Sequence, residues 1–197
     1  MSLVSNLFLL FVAAAVIVYY LVPARWQWLV LLGFSYIYYI AGGIKYVGFL
    51  LFSTLVTWMI ALLIEKEETA GKHKRARKFV ILGLILNFGM LGLIKYTNFA
   101  VENLNALFHM NLRGMEILLP LGISFYTFQS SGYILDVYWK RCKAEHNPLK
   151  YALFVSFFPQ ILQGPIGRYS RLAHQLYDSH KFESRNITRG LERILWG

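Results

Sequence analysis

The chain has 197 residues, 57% of them hydrophobic, a single cysteine and a formal net charge of +10. That apolar share exceeds what a soluble domain carries and fits one multispanning membrane domain. The lone Cys142 excludes a disulfide framework, and basic residues gathered in short loops between apolar runs mark cytoplasmic membrane loops, so the charge gives no reason to expect a nucleic-acid partner.

Six uncharged runs follow one another: Leu3–Val22, Trp26–Ile44, Tyr46–Ile64, Phe79–Ile94, Ile117–Leu135 and Tyr151–Gly167. About 20 apolar residues cross the hydrocarbon core, so the first five are expected as transmembrane helices. No Lys or Arg precedes Arg25, which leaves the first run without the positive flank of a secretory signal peptide. Pro23 and Arg25 end it, Gly42-Gly43 and Lys45 punctuate the second, and Glu65 closes the third.

The loops set an orientation. Glu65–Lys78 carries Lys66, Lys72, Lys74, Arg75, Arg77 and Lys78 and is expected inside, with the N-terminus outside. Counting forward puts 109–116 outside with one arginine, and 139–150 inside with Lys140, Arg141, Lys143 and Lys150. Cys142 then reads as a reduced cytoplasmic thiol. Lys95, Asn98 and Glu102 share one side of the fourth helix region, where Lys95 snorkels toward the outer interface.

The sixth run conflicts with this count. A full crossing would place Arg168, Arg171, Lys181, Arg185, Arg189 and Arg193 outside, against the positive-inside bias. Two readings stand. One is a re-entrant or broken helix, interrupted at Phe158-Pro159-Gln160 and Gly164-Pro165, because proline lacks an N–H and strikes the preceding turn. The other is an ordinary helix with a proline kink.

Leu118–Arg168 is the stretch the rest is organised around, because polar and helix-breaking residues at membrane depth must be buried in protein or line a wet cavity. Gln129 and Asp136 stand seven residues apart on one helical face with Gly122, Phe125 and Gly132. Gln129 reads as tunnel-lining and Asp136 as a boundary residue beside Lys140. The residues expected along a tunnel or substrate pathway are Gln129, Pro159, Gln160, Gln163, Gly164, Pro165 and Arg168. A close-packed helix face accounts for the same small and polar residues. His73, His109, His146, His174 and His180 all lie outside the apolar runs, without metal-ligand spacing, and no serine triad or phosphate loop is present.

Residues 168–190 place Leu172, Gln175 and Leu176 at helical spacing beside basic residues, the pattern of an amphipathic helix on the inner membrane surface. Asn186-Ile187-Thr188 then opens a further helix, RGLERILWG, that reaches Gly197 without a stop signal. The chain therefore reads as the front part of a longer protein. The fold class expected is all-α: a polytopic transmembrane helical protein with a re-entrant or broken helix and a surface amphipathic helix.

Several stretches carry a resemblance. LLPLGISFYTFQSSGYILDVY at Leu118–Tyr138 and YALFVSFFPQILQGPIGRYSRLAHQL at Tyr151–Leu176 resemble membrane-bound O-acyltransferases, in the bacterial branch of alginate O-acetyltransferases and D-alanyl transfer proteins. IKYTNFAVENLN at Ile94–Asn105 and RNITRGLERILWG at Arg185–Gly197 agree with it. The resemblance implies transfer of an acyl group, acetyl first, from a cytoplasmic thioester donor to an acceptor hydroxyl at the outer face of the cell membrane. Acetyl-CoA or an acyl carrier is then the substrate, and no cofactor is bound. A histidine acts as base, activating the hydroxyl for attack on the thioester carbonyl. In the family that histidine lies beyond the position of Gly197, so no residue here takes the role and the chain alone is expected to be inactive. Implied partners are membrane lipid, the donor or carrier, and an extracytoplasmic acyltransferase. D-alanyl transfer to teichoic acid is the second reading within the family; a transporter or flippase and a noncatalytic scaffold are the readings outside it.

Overall fold

The computed structural model describes residues 6–108, 122–163 and 167–196. Its helices are α1 (Asn6–Leu21), α2 (Gln27–Gly42), α3 (Ile44–Thr69), α4 (His73–Phe108), α5 (Ile123–Tyr138), α6 (Pro148–Ser156), α7 (Phe158–Gln163), α8 (Tyr169–Tyr177) and α9 (Ser184–Trp196), with a 3₁₀ turn at Ala24–Trp26. No strand occurs among the described residues.

α3 is the hub, packed against α2, α4, α5 and α6. Its Leu50, Ala61 and Ile64 are fully buried, against a core that includes Ile134 of α5 and Tyr151, Phe154 and Val155 of α6. Apolar side chains of α1 and α4, among them Leu10, Ile17, Ile85, Leu93 and Phe99, face outward. Two helices, Tyr46–Thr69 and His73–Phe99, are long and apolar enough to cross a membrane. Between α3 and α4 a polar clamp ties the helices: Asn87 accepts from Ser53 at 2.8 Å and donates to Thr57 at 3.0 Å and to the Gly83 carbonyl at 2.9 Å.

Several boundaries differ from the sequence expectation. α3 continues past Ile64 to Thr69, and α4 runs for 36 residues from His73. Lys, Arg, Glu and Ala are strong helix formers, so the charges that end an apolar run do not end the helix. At roughly 54 Å, α4 is longer than a hydrocarbon core of ~30 Å. The fifth helix opens at Ile123, after Gly122 in the left-handed region at φ 71°. A Cβ there would collide with Ile161 of α7, so glycine permits both the turn and the close approach.

The sixth run divides in two. α6 starts at Pro148, three residues before the apolar run, because Asn147 caps it: its Oδ1 accepts from the N–H of Leu149 at 2.9 Å and of Lys150 at 3.4 Å. Every residue from Tyr151 to Ser156 is buried, as expected of a helix apolar all round. The helix leaves αR geometry at Phe157, ψ 105°, and α7 begins at Phe158. The interruption thus precedes Pro159. In an unbroken helix Pro159 would offer no N–H to the Val155 carbonyl and its ring would strike it, whereas in the first turn of α7 it needs no partner. Gly164 and Pro165, expected as the second break, lie outside the described residues, as do the 109–116 loop and the start of the Leu118 stretch.

α8 buries Tyr169, Ala173 and Leu176 against α6 and α2. Of the residues expected at helical spacing, Leu176 is buried, Leu172 half-buried and Gln175 exposed. The segment after α8 folds back on the turn between α1 and α2. There the Gln27 amide exchanges two hydrogen bonds with the His180 backbone, and the Tyr19 hydroxyl lies 3.0 Å from His180 Nδ1.

Candidate functional site

The break between α6 and α7 releases main-chain groups that a continuous helix would have paired with each other. The Phe154 carbonyl loses the Phe158 N–H. Each then finds a side chain from another helix: Gln129 Nε2 on α5 donates to the Phe154 carbonyl at 3.1 Å, and the Phe158 N–H donates to Ser35 Oγ on α2 at 3.3 Å. Buried backbone groups demand such partners, most strictly where no water can substitute. Ser35 also donates to the Leu31 carbonyl at 2.7 Å, which fixes its rotamer. The Phe158 ring packs among Phe8, Phe11 and Tyr38 with centroids 5.3 to 6.4 Å away, pinning the start of α7.

Gln129, 2% exposed, reaches both halves of the broken segment, because Nε2 also donates to Gln160 Oε1 at 3.4 Å. Its own Oε1 has no partner among the described protein groups. Gly167 lies directly behind Gln160: any Cβ at Gly167 would occupy the space of the Gln160 amide. Two glycines thus flank α7, Gly122 at Ile161 and Gly167 at Gln160.

Beside this pair opens a cavity of about 260 Å³ whose wall includes Gln129, Tyr133, Asp136, Arg141, Gly167 and Arg168. It follows α5 from Gln129 to Trp139, roughly 15 Å at the helical rise. Arg141 also lines the two adjoining cavities at this end, of about 570 and 400 Å³. Of the residues expected along a pathway, Gln129 and Arg168 are in the wall, and Gln160 adjoins it through Gln129 and Gly167. Pro159 is exposed and outside the wall. The Gln163 side chain, Gly164 and Pro165 lie outside the description. Among the described residues no histidine lines this cavity; His174 lines the neighbouring one.

The charged end differs from expectation in one respect. Asp136, 7% exposed, pairs with Arg141 Nη1 at 3.4 Å and not with Lys140, whose Nζ goes to Glu68 at 3.3 Å. The cause is the end of α5. Lys140 adopts φ 57°, the Lys140 N–H donates to the Val137 carbonyl at 3.0 Å and the Arg141 N–H to the Asp136 carbonyl at 2.8 Å. This is the Schellman arrangement, which usually places glycine at the left-handed position. The turn sends Lys140 toward α3 and returns Arg141 over Asp136.

The 139–147 loop is pinned from several helices. Glu145 accepts from the Tyr169 hydroxyl at 2.7 Å and from the Asn147 N–H at 2.9 Å, while its backbone accepts from Trp58 Nε1 at 2.7 Å and donates to the Tyr133 hydroxyl at 2.8 Å. Glu65 accepts from the Ala144 N–H at 3.0 Å and lies 3.2 Å from His146 Nε2. The Tyr177 hydroxyl donates to the Lys150 carbonyl at 2.7 Å. Burial, reinforced by the Asp136 and Glu65 carboxylates, pushes the Cys142 thiol up to about 12. Sequence reading placed Gln129 and Arg168 on the expected pathway, and both line the cavity along α5. Ser35, Arg141, Glu145 and Gly167 escaped that reading; a hydroxyl within an apolar run at Ser35 was the one local signal available.

No protein-family model and no solved structure matches the chain. Among curated proteins it is similar to the probable alginate O-acetylase AlgI of Azotobacter vinelandii, at 38% identity over 98% of the chain and 39% of that protein. The probable alginate O-acetylase AlgI of Pseudomonas aeruginosa is likewise 38% identical, over 98% of the chain and 38% of that protein. The peptidoglycan O-acetyltransferase of Helicobacter pylori is 34% identical over 83% of the chain and 35% of its own length. The chain spans about two fifths of the length of the curated relatives it matches.

Proposed function

Because this chain belongs to the membrane-bound O-acyltransferase family, we propose that it forms part of an enzyme that moves an acetyl group from a cytoplasmic thioester to hydroxyls of a cell-surface polysaccharide. Its relatives are named for alginate and for peptidoglycan, both glycan acceptors. In such a transfer the acceptor oxygen attacks the thioester carbonyl, the thiolate leaves and a base takes the hydroxyl proton.

The observation that carries the reading is the cavity lined by Gln129, which is hydrogen-bonded to Gln160, and by Arg141 and Arg168. Its wall joins a buried amide to two arginines, the polarity an anionic thioester donor requires. Asp136 neutralises part of Arg141, so Arg168 supplies much of the net positive charge in the wall. In this reading the protein is multi-pass in the cell membrane with its N-terminus outside, and α6–α7 is re-entrant from the cytoplasmic side. Support comes from α8, which is bonded to Glu145 and Lys150 beside the loop from which α6 departs. At nine residues, roughly 13 Å, α6 reaches less than halfway through a ~30 Å core. The basic residues of α8 and α9 then lie at the inner surface, where anionic lipid attracts them.

The test uses the full-length protein with Arg168→Glu, measuring donor and acceptor dependence separately. The expected result is a raised KM for the thioester donor with acceptor behaviour unchanged. A folded Arg168→Glu protein with wild-type donor kinetics would exclude the pathway.

A further inference from the structure

The amide of Gln129 does more than satisfy a broken helix. It crosses from α5 to the Phe154 carbonyl on α6 and to Gln160 on α7. It thereby ties α5 to both halves of the broken segment at a residue that also lines the cavity. Gln160 lies behind it against Gly167, where any Cβ would collide with that amide. Ile161, one residue on, is buried against Gly122, so α7 is held from both sides. The row of lining residues runs from Gln129, 2% exposed, along α5 to Trp139, 53% exposed, so Gln129 stands at the buried end of that row.

We infer that Gln129, backed by Gln160, is the end wall that limits the acyl group of the donor to a short chain. The inference rests on the donor-pathway reading and adds a specificity determinant to it. A thioester entering past Arg168 with its acyl group leading meets the Gln129 amide, and every further methylene must displace a side chain held by two hydrogen bonds. Interiors at crystal-like density accommodate an added methylene poorly. One methylene against a fixed wall is worth about tenfold or more in kcat/KM.

The experiment compares acetyl-, propionyl- and butyryl-coenzyme A as donors for the full-length enzyme and its variants. Wild type is expected to prefer acetyl over butyryl by at least about tenfold. Gln129→Ala removes the wall and brings the ratio within about threefold of unity. Gln129→Asn keeps the amide but withdraws it by one methylene, and admits propionyl selectively. Gln129→Leu keeps the reach without the amide, and retains the acetyl preference. A donor preference unchanged from wild type in folded Gln129→Ala and Gln129→Asn proteins that still transfer acetyl overturns the inference. So does loss of the folded state in all three variants, which would make Gln129 a cap for the broken helix and nothing more. Failure of the donor pathway itself is a different outcome: Arg168→Glu and the Gln129 variants would then leave KM for every donor unchanged.

Discussion

Gln129 donates its side-chain amide to the Phe154 carbonyl at 3.1 Å, in the place a continuous helix would have given to the N–H of Phe158. Displaced from Phe154, that N–H turns to Ser35. One interruption before Pro159 therefore fastens the α6–α7 segment to two other helices. The Gln129 that bridges this interruption also lines the cavity.

Removing either fastening leaves a buried main-chain group unpaired. Ser35→Ala is expected to cost about 1–3 kcal/mol, and Gln129→Leu a similar amount. Ser35→Thr, which keeps a hydroxyl, should recover part of the loss. Thermal unfolding of purified protein in detergent reads this directly, and an unchanged Tm for Ser35→Ala would show that the Phe158 N–H has another partner.

Lys140 occupies a conformation that costs a non-glycine residue roughly 1 kcal/mol, and its ion pair with Glu68 has an exposed lysine, so it returns at most about that much. Lys140→Gly is expected to leave stability unchanged or raise it by up to about 1 kcal/mol. A clear fall in Tm would mean that the Glu68 pair is stronger than its exposure implies.

Cys142 should be an inert thiol. With its ionisation pushed up to about 12, the folded protein should react with iodoacetamide at pH 8 at least about a hundredfold more slowly than the same protein in denaturant. The linkage has a definite sign. The folded state holds this proton more tightly than the unfolded one, so Cys142 has no effect on stability below the unfolded value near 9. Its contribution becomes destabilising as pH rises from there toward 12. Equal alkylation rates in the two states would refute the burial argument.

Orientation is checked in the turn after α3. In a Cys142→Ala background, Ala70→Cys should be labelled by a membrane-impermeant maleimide only after the cells are opened. Labelling in intact cells would invert the topology, and with it the side from which the donor enters.

Composition and periodicity by themselves determined a great deal. Apolar runs of spanning length announced a helical membrane protein, loop charges set an expected orientation, and the prolines marked the region where the last run divides. Gln129 stood out because an amide in an apolar run must find a partner. All of these are local signals, set by the chain's own chemistry within one or two turns of helix. Helix ends were less legible, since α3 and α4 run on through charges that favour helix as readily as water.

Tertiary structure alone decided which groups meet. Phe158 bonds Ser35 across 123 residues and His180 bonds Gln27 across 153, pairings no periodicity encodes. Arg141 instead of Lys140 lies over Asp136 because a left-handed turn separates two adjacent cations. Glu145, unremarkable in sequence, joins α3, α5 and α8 through its backbone and carboxylate. The physical reason is the same in each case. A buried polar group has no water to fall back on, so it takes whichever partner the packing brings within about 3 Å, and packing depends on every helix at once.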